Sequence, residues 1–98
     1  MTTNQPTPLP EVWHNQEETR FEMEMDGALA VLEYEIEGEK FIATHTGVPS
    51  ALEGRGIASH LARAALEYAR AHSLKVVPLC SFVANYLRKH PEYEDLQA

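Results

Sequence analysis

The spacing of apolar residues changes once along this chain, near Gly54. Before that glycine, apolar and polar residues alternate over segments 20–25, 28–37 and 40–48. Strict alternation is typical of β-strands that have one buried and one solvated face. After it, apolar residues recur every three or four positions, which predicts an amphipathic helix from Arg55 to Ala71. We therefore expect a sheet in the first half of the chain, followed by helical packing.

Tight turns join the three predicted strands. The Asp26-Gly27 pair is a strong hairpin signal, because a primed two-residue turn needs positive φ angles. Gly38 allows a second turn, so the strands form an antiparallel meander, and a short first strand is expected around residues 12–14. In the third strand, a period of two predicts one face made of Phe41, Ala43 and His45.

A strand and a second helix follow the first helix. Residues 75–79 form a short apolar strand, and Ser81 is placed to cap a helix that runs to Lys89. The third long strand, the first helix and this short strand should form a right-handed crossover between parallel strands. The predicted class is α/β (α+β), with a mixed sheet in which an antiparallel β-meander precedes a helix–strand–helix unit.

The length of the chain limits its organisation. Ninety-eight residues provide one hydrophobic core and no second. We expect a mobile tail over residues 1–11, one domain over 12–93 with Trp13 and Tyr93 closing its core, and a C-terminal tail over 94–98. The acidic stretch 92–98 is expected to fray.

The net charge of −7 is distributed unevenly. Residues 1–40 carry a balance of −8, whereas residues 41–98 carry +1. An acidic protein is a poor candidate for non-specific nucleic-acid binding, which needs a basic surface. The acidic half favours a cationic ligand, or it consists of solvated strand faces.

Composition also predicts where the protein works. A single cysteine excludes an intramolecular disulfide and a Cys-rich zinc site, and the five histidines show no metal-ligand spacing, so no metal is expected. We expect no secretory signal, because no basic segment followed by an apolar stretch opens the sequence, and no apolar stretch is long enough to span a bilayer. We expect a cytoplasmic protein with no membrane contact.

A glycine-rich loop marks the predicted entry to the first helix. Gly54 and Gly56 allow a ligand to approach the backbone closely, and the first amides of a helix lack internal partners. A phosphate or pyrophosphate suits such a site, with Arg55 adding charge-assisted hydrogen bonds. The alternative is a turn that only starts the helix, since two glycines alone are a weak signal.

Residues 53–58, Glu-Gly-Arg-Gly-Ile-Ala, resemble the pyrophosphate-binding motif Arg/Gln-x-x-Gly-x-Gly/Ala of the GCN5-related N-acetyltransferases (GNAT). Together with segments 45–49, 77–81 and 90–93, they resemble the small single-domain branch of that superfamily. The resemblance implies that acetyl-CoA is the acyl-donor substrate. The implied cofactor-binding residues are Thr46, Gly47, Val48, Gly54, Arg55, Gly56, Ile57 and Ala58. Glu53 departs from the motif, because a carboxylate there repels a pyrophosphate.

His45 and Cys80 are the candidate catalytic pair. Each lies near the carboxyl end of one of two predicted parallel strands, where ligands bind in α/β arrangements. A neutral imidazole can accept a proton from an amine, and a thiol can protonate a leaving thiolate or form a covalent acetyl-cysteine. The small branch carries a matching His-Thr and Cys-Ser in these places. Each residue also has a structural interpretation, as an inert buried cysteine and a hydrogen-bonded histidine at a strand end.

The resemblance implies an N-acetyltransferase that transfers acetyl from acetyl-CoA to an amine. The acidic half of the chain favours a cationic acceptor, such as a lysine side chain of a protein or peptide, or a polyamine. The alternative from a different class is a non-catalytic acyl-CoA-binding module that acts through a protein partner. A structural protein with a relic loop is a third interpretation, and it predicts no CoA binding.

Overall fold

The computed structural model describes residues 11–98 and contains one five-stranded sheet and two α-helices. The elements are β1 (Trp13–Asn15), β2 (Arg20–Met25), β3 (Ala28–Glu37), β4 (Lys40–Gly47), α1 (Ile57–Ala71), β5 (Lys75–Pro78) and α2 (Ser81–Lys89), with 3₁₀ turns at Ser50–Leu52 and Pro91–Leu96. The strands follow the order β1-β2-β3-β4-β5, antiparallel except for the parallel pair β4–β5. This confirms the predicted α+β class, meander and helix–strand–helix unit. The tail expected over 1–11 lies outside the described residues except for Glu11.

Both helices pack against the same face of the sheet. The core joins inward residues of β2 to β5 with the apolar stripes of α1 and α2 in a single cluster. Among the described residues no helix covers the opposite face, which we call the outer face. By strand register it includes Trp13, Asn15, Arg20, Glu22, Glu24, Leu29, Val31, Glu33, Glu35, Glu37, Lys40, Ile42, His45, Gly47, Lys75 and Val77. In the described part of the chain, no helix has the length and hydrophobicity for a bilayer crossing.

A β-bulge in β4 reverses its alternation. Ala43 lies opposite Tyr34 and His45 lies opposite Glu33, so Thr44 is an extra residue with no partner across the strand pair. Its hydroxyl donates to the Glu33 carbonyl oxygen over 3.1 Å. Since each extra residue flips the faces, the expectation that His45 shares a face with Phe41 and Ala43 is wrong.

Beyond the bulge, the faces of β4 are exchanged. His45 is exposed on the outer face, while Thr46 lies opposite the fully buried Leu32, on the helix side. Phe41 and Ala43, before the bulge, are both fully buried, as predicted.

The last residues pack against the sheet instead of fraying. Leu96 is buried, and the Ala98 amide donates to the Val76 carbonyl oxygen over 3.1 Å. The Arg70 guanidinium contacts both carboxylate oxygens of Asp95. Segment 94–98 therefore differs from the expected frayed tail, because one apolar side chain and one basic partner fix it beside β5.

The two aromatic residues expected to close the core have different surroundings. Tyr93 is buried, as expected, and its hydroxyl donates to a Glu67 carboxylate oxygen over 2.6 Å. Trp13 is 68% exposed, so its predicted place in the core is wrong. The core-facing residue of β1 is instead His14, whose ring stacks on Phe21 with centroids 4.0 Å apart. Alternation then places Trp13 on the outer face.

Candidate active site

Strands β4 and β5 separate at one end, and this separation shapes the candidate site. Their parallel pairing ends at Ala43 and Pro78. There the amides of Leu79 and Cys80 both donate to the Ala43 carbonyl oxygen at 3.0 Å, and the chain turns into α2. Within the described residues, segment 44–47 of β4 continues without a strand on its β5 side.

The glycine loop leads from β4 into α1 on the helix side of the sheet. Gly54 and Gly56 have φ angles of +85° and +76°, in the left-handed region that favours glycine. Gly56 is the N-cap of α1, so no side chain caps the first amides of the helix. The predicted start at Arg55 is two residues early, because the left-handed Gly56 delays the helix to Ile57.

A pocket opens beside this helix terminus. Its lining residues come from the end of β4, the glycine loop, the first turn of α1 and the first turn of α2. They are Val48, Leu52, Glu53, Gly54, Gly56, Ile57, Ala58, Ser59 and Phe82. The pocket therefore gathers five of the predicted cofactor-binding residues. Sequence reasoning missed Leu52, Ser59 and Phe82, and only the hydrophobicity of Phe82 so near Cys80 offered a signal.

Three predicted cofactor-binding residues do not line this pocket. Arg55 extends to the β2–β3 turn, where its guanidinium lies 3.2 Å from a carboxylate oxygen of Asp26 and 3.1 Å from the Met25 sulfur. Thr46 and Gly47 lie further back on β4, next to the candidate catalytic residues. An exposed ion pair such as Arg55–Asp26 contributes little to stability, so Arg55 can exchange partners.

Cys80 is the residue immediately before α2 and its N-cap. Its thiol donates to the Thr46 hydroxyl oxygen over 3.2 Å. The expectation that Ser81 caps α2 is wrong, since Ser81 is already the first helical residue and no side-chain capping bond forms.

His45 occupies the outer face of the same stretch of β4. A β-carbon built on Gly47 would lie 3.0 Å from the His45 Nε2 atom, so the imidazole lies over Gly47. The structure does not bring the His45 and Cys80 side chains into contact. It places Cys80 with Thr46 on the helix side and His45 on the outer face. The two candidate residues therefore lie on opposite faces of the sheet where β4 and β5 separate.

Comparison with known proteins agrees with this arrangement. Residues 20–96 match a family model described as GCN5-related N-acetyl-transferase. Protein NATD1 from Mus musculus and from Homo sapiens are each 37% identical over 83 residues, covering 82% of this chain and 76% and 74% of theirs. A solution structure of a GCN5-like protein from Staphylococcus aureus shares 30% identity, with a TM-score of 0.74 over 94% of this chain and 91% of that one.

The chain therefore belongs to the GCN5-related N-acetyltransferase family. This confirms the resemblance carried by the glycine loop and the strings around His45 and Cys80. The family model covers the meander, α1, β5, α2 and most of the C-terminal segment. The fold and the candidate site thus define a single small acetyltransferase domain of this family.

Proposed function

We propose that this protein transfers the acetyl group of acetyl-CoA to an amine, with a lysine side chain or a polyamine as acceptor. The observation that carries the proposal is the uncapped start of α1, which opens into the pocket. This pocket lies beside the end of β4 that has no strand on its β5 side. Family membership supports acetyl transfer in general.

The residues present fit a pyrophosphate. A β-carbon built on Gly54 or Gly56 would meet no atom within 4 Å, so the backbone of the loop is open to a ligand. The amides of residues 54–58 would hold the two phosphates, which the helix dipole also favours. Val48 and Phe82 offer the apolar wall that a pantetheine arm needs.

Acetyl-CoA, when bound, supplies a thioester: the acceptor nitrogen bonds to its carbonyl carbon, the carbon–sulfur bond breaks, the nitrogen loses a proton and the sulfur gains one. His45, open to solvent, would take the proton from the amine. Cys80, on the helix side, would give a proton to the departing sulfur. The backbone N–H of Gly47 or Val48 would donate to the acetyl oxygen. The two side chains need not touch, because they act on different atoms.

One observation favours the alternative of a non-catalytic acyl-CoA-binding module. Glu53 lines the pocket and is exposed at its mouth, where its carboxylate opposes a pyrophosphate. A module of this kind would bind acetyl-CoA without turning it over and would act through a protein partner.

Two measurements test the proposal. Titration of ¹⁵N-labelled protein with acetyl-CoA should shift the amides of residues 54–59, and addition of a polyamine or a lysine peptide should release free CoA thiol. Binding without thiol release from any amine would favour the binding module. No shift of the loop amides would overturn both.

A matched pair of variants locates the binding. Gly56→Ala and Gly38→Ala each place a β-carbon at a positive φ where nothing lies within 4 Å, so their backbone strain is comparable. Only Gly56→Ala adds a methyl group to the pocket. It should weaken acetyl-CoA binding about tenfold or more, since it blocks close backbone approach. Equal weakening by Gly38→Ala would show that strain alone is responsible.

A further inference from the structure

The outer face of the sheet combines exposed apolar side chains with carboxylates. Trp13 is 68% exposed and Leu29 is 41% exposed. They line a groove with Glu11, Glu22 and Glu24. A large aromatic side chain left in solvent at a groove is typical of a contact surface.

Carboxylates outnumber cations on this face, which also includes Arg20, Lys40 and Lys75. Glutamates occupy five outer positions of β2 and β3: Glu22, Glu24, Glu33, Glu35 and Glu37. Among the described residues only Glu22 of these five has an ion-pair partner, Arg20. A negative surface with an aromatic ring at its edge complements a basic ligand, because carboxylates attract the cation and the ring face binds it.

One line of paired residues, running across strands β1 to β4, connects the groove to the candidate site. Trp13 lies opposite Glu22, Glu22 opposite Val31, and Val31 opposite Gly47. The His45 imidazole lies over Gly47 at the end of this row. Three strand spacings of about 4.8 Å put Trp13 about 14 Å from the Gly47 position. An extended peptide covers that distance in about four residues.

We propose that the outer face docks a basic, extended segment of an acceptor protein, with the acceptor lysine at His45 and a second cationic side chain about four residues away over Trp13. This inference rests on the proposed function and names its substrate class. The two substrates then reach the separation between β4 and β5 from opposite faces: acetyl-CoA from the helix side and the peptide from the outer face. Polyamines would use the same carboxylates but would not need the four-residue spacing.

Peptide binding without acetyl-CoA tests the docking apart from the chemistry. The probe is a peptide with one lysine and an arginine four residues away, compared with the same peptide carrying glutamine in place of that arginine. The arginine peptide should shift outer-face amides of β1, β2 and β3 in the ¹⁵N-labelled protein, and added salt should weaken the binding. Absence of these shifts overturns the docking proposal even if small amines are acetylated. Shifts without any acetyl transfer would leave the docking intact and overturn the proposed function.

Variants on the two sides of the sheet supply controls. Trp13→Ala should raise the KM for the arginine peptide about two- to fivefold, with kcat and acetyl-CoA binding unchanged. Ile36→Ala removes an apolar side chain that is 44% exposed on the helix side and should have no such effect. Glu24→Gln should raise the same KM, whereas Glu94→Gln, which neutralises an exposed carboxylate of the C-terminal segment, should not. Equal effects of the members of either pair would overturn the proposal.

Two other occupants of this face give different results. If the outer-face amides shift with protein concentration alone and sedimentation shows a dimer, the face binds a second copy of the chain. If they shift on removal of residues 1–10, the chain's own N-terminal segment covers it. Either result overturns peptide docking.

Discussion

The thiol of Cys80 donates a hydrogen bond to the hydroxyl oxygen of Thr46 over 3.2 Å. This bond joins the start of α2 to the end of β4 that has no strand on its β5 side. The contact exists because the bulge at Thr44 turns Thr46 toward the helix side. It holds the sulfur at the separation between the strands, where a departing thiolate would need a proton.

If Cys80 gives that proton, Cys80→Ala should lower turnover with a suitable amine by about 10²-fold while acetyl-CoA binding is retained. Cys80→Ser can still reach Thr46, yet it should lose much of the turnover because a hydroxyl is a poorer acid than a thiol. Steady-state kinetics and acetyl-CoA titration check this. Full turnover by Cys80→Ala would show that Cys80 is only a packing residue and that His45 or water transfers the proton.

Glu53→Gln should tighten acetyl-CoA binding, because it removes a carboxylate that lines the pocket for an anionic ligand. We expect a few-fold decrease in Kd by calorimetry, larger at low ionic strength. Glu17→Gln removes the same charge from an exposed turn before β2 and is the control. An unchanged Kd for Glu53→Gln would place the phosphates away from this side chain.

Asp26→Asn should also tighten acetyl-CoA binding, through Arg55. The Asp26 carboxylate holds the Arg55 guanidinium 3.2 Å away, over the β2–β3 turn. Asparagine tolerates the φ of +55° at this position and leaves the hairpin intact. The double variant Asp26→Asn with Arg55→Gln should lose the gain, and a gain that persists would show that Arg55 is not its source.

Lowering the pH should destabilise the domain through His14. Burial, followed by the charge of His72, lowers the pKa of His14, whose ring nitrogen lies 2.7 Å from the Tyr34 hydroxyl. The neutral form is thus favoured in the folded state. Its contribution to stability is complete above the unfolded pKa of about 6.5 and is lost as the pH falls through the lower folded pKa.

Thermal unfolding of the parent and of His14→Gln above and below about pH 6.5 measures this pH-dependent contribution of His14 to stability. The variant keeps a hydrogen-bonding group for Tyr34 but cannot acquire the charge, so its Tm should fall less in acid. Parallel pH dependences would assign the acid loss to the carboxylates instead.

Tyr93→Phe should destabilise the domain by about 1 kcal/mol, because it removes a 2.6 Å hydrogen bond to Glu67 from a buried ring. For a domain of this size that corresponds to a Tm lower by about 4–8 °C. Glu67→Gln keeps an acceptor and should cost less. A Tm equal to that of the parent would show that the bond contributes nothing net.

The same residue predicts alkaline behaviour. Burial, together with the Glu67 carboxylate, raises the pKa of Tyr93 to about 12. The folded state favours the neutral phenol, so its contribution persists below about pH 10 and is lost as the pH rises through about 12. Tyr93→Phe should therefore unfold with a weaker pH dependence in that range.

Much of the fold follows from local signals in the sequence. The Asp26-Gly27 turn has positive φ at both residues, as the hairpin signal predicts. The predicted end of α2 at Lys89 is also correct, because Pro91 and the apolar spacing are local features. Such features depend on a few neighbouring residues, so one sequence is enough to recognise them.

The side-chain geometry of the site depends on contacts between distant residues. No local feature of segment 40–47 marks Thr44 as the extra residue of a bulge. The side of the sheet that His45 faces could therefore not be predicted from the sequence. Arg55 pairs with a residue 29 positions away. In the C-terminal segment, the one apolar residue Leu96 outweighs its acidic neighbours because a core site beside β5 receives it.

The bulge makes the faces of His45 and Thr46 depend on how β4 pairs with β3, and not on their residue types alone. Deleting Thr44 would remove only the extra residue, so His45 would stay opposite Glu33 on the outer face and Thr46 opposite Leu32 on the helix side. If the bulge were lost and Thr44 paired with Glu33 instead, strict alternation would turn His45 inward and Thr46 outward. A chain that lacks residue 44 would therefore keep the imidazole and the Thr46 hydroxyl on their present faces, whereas a chain of the same length without the bulge would exchange them.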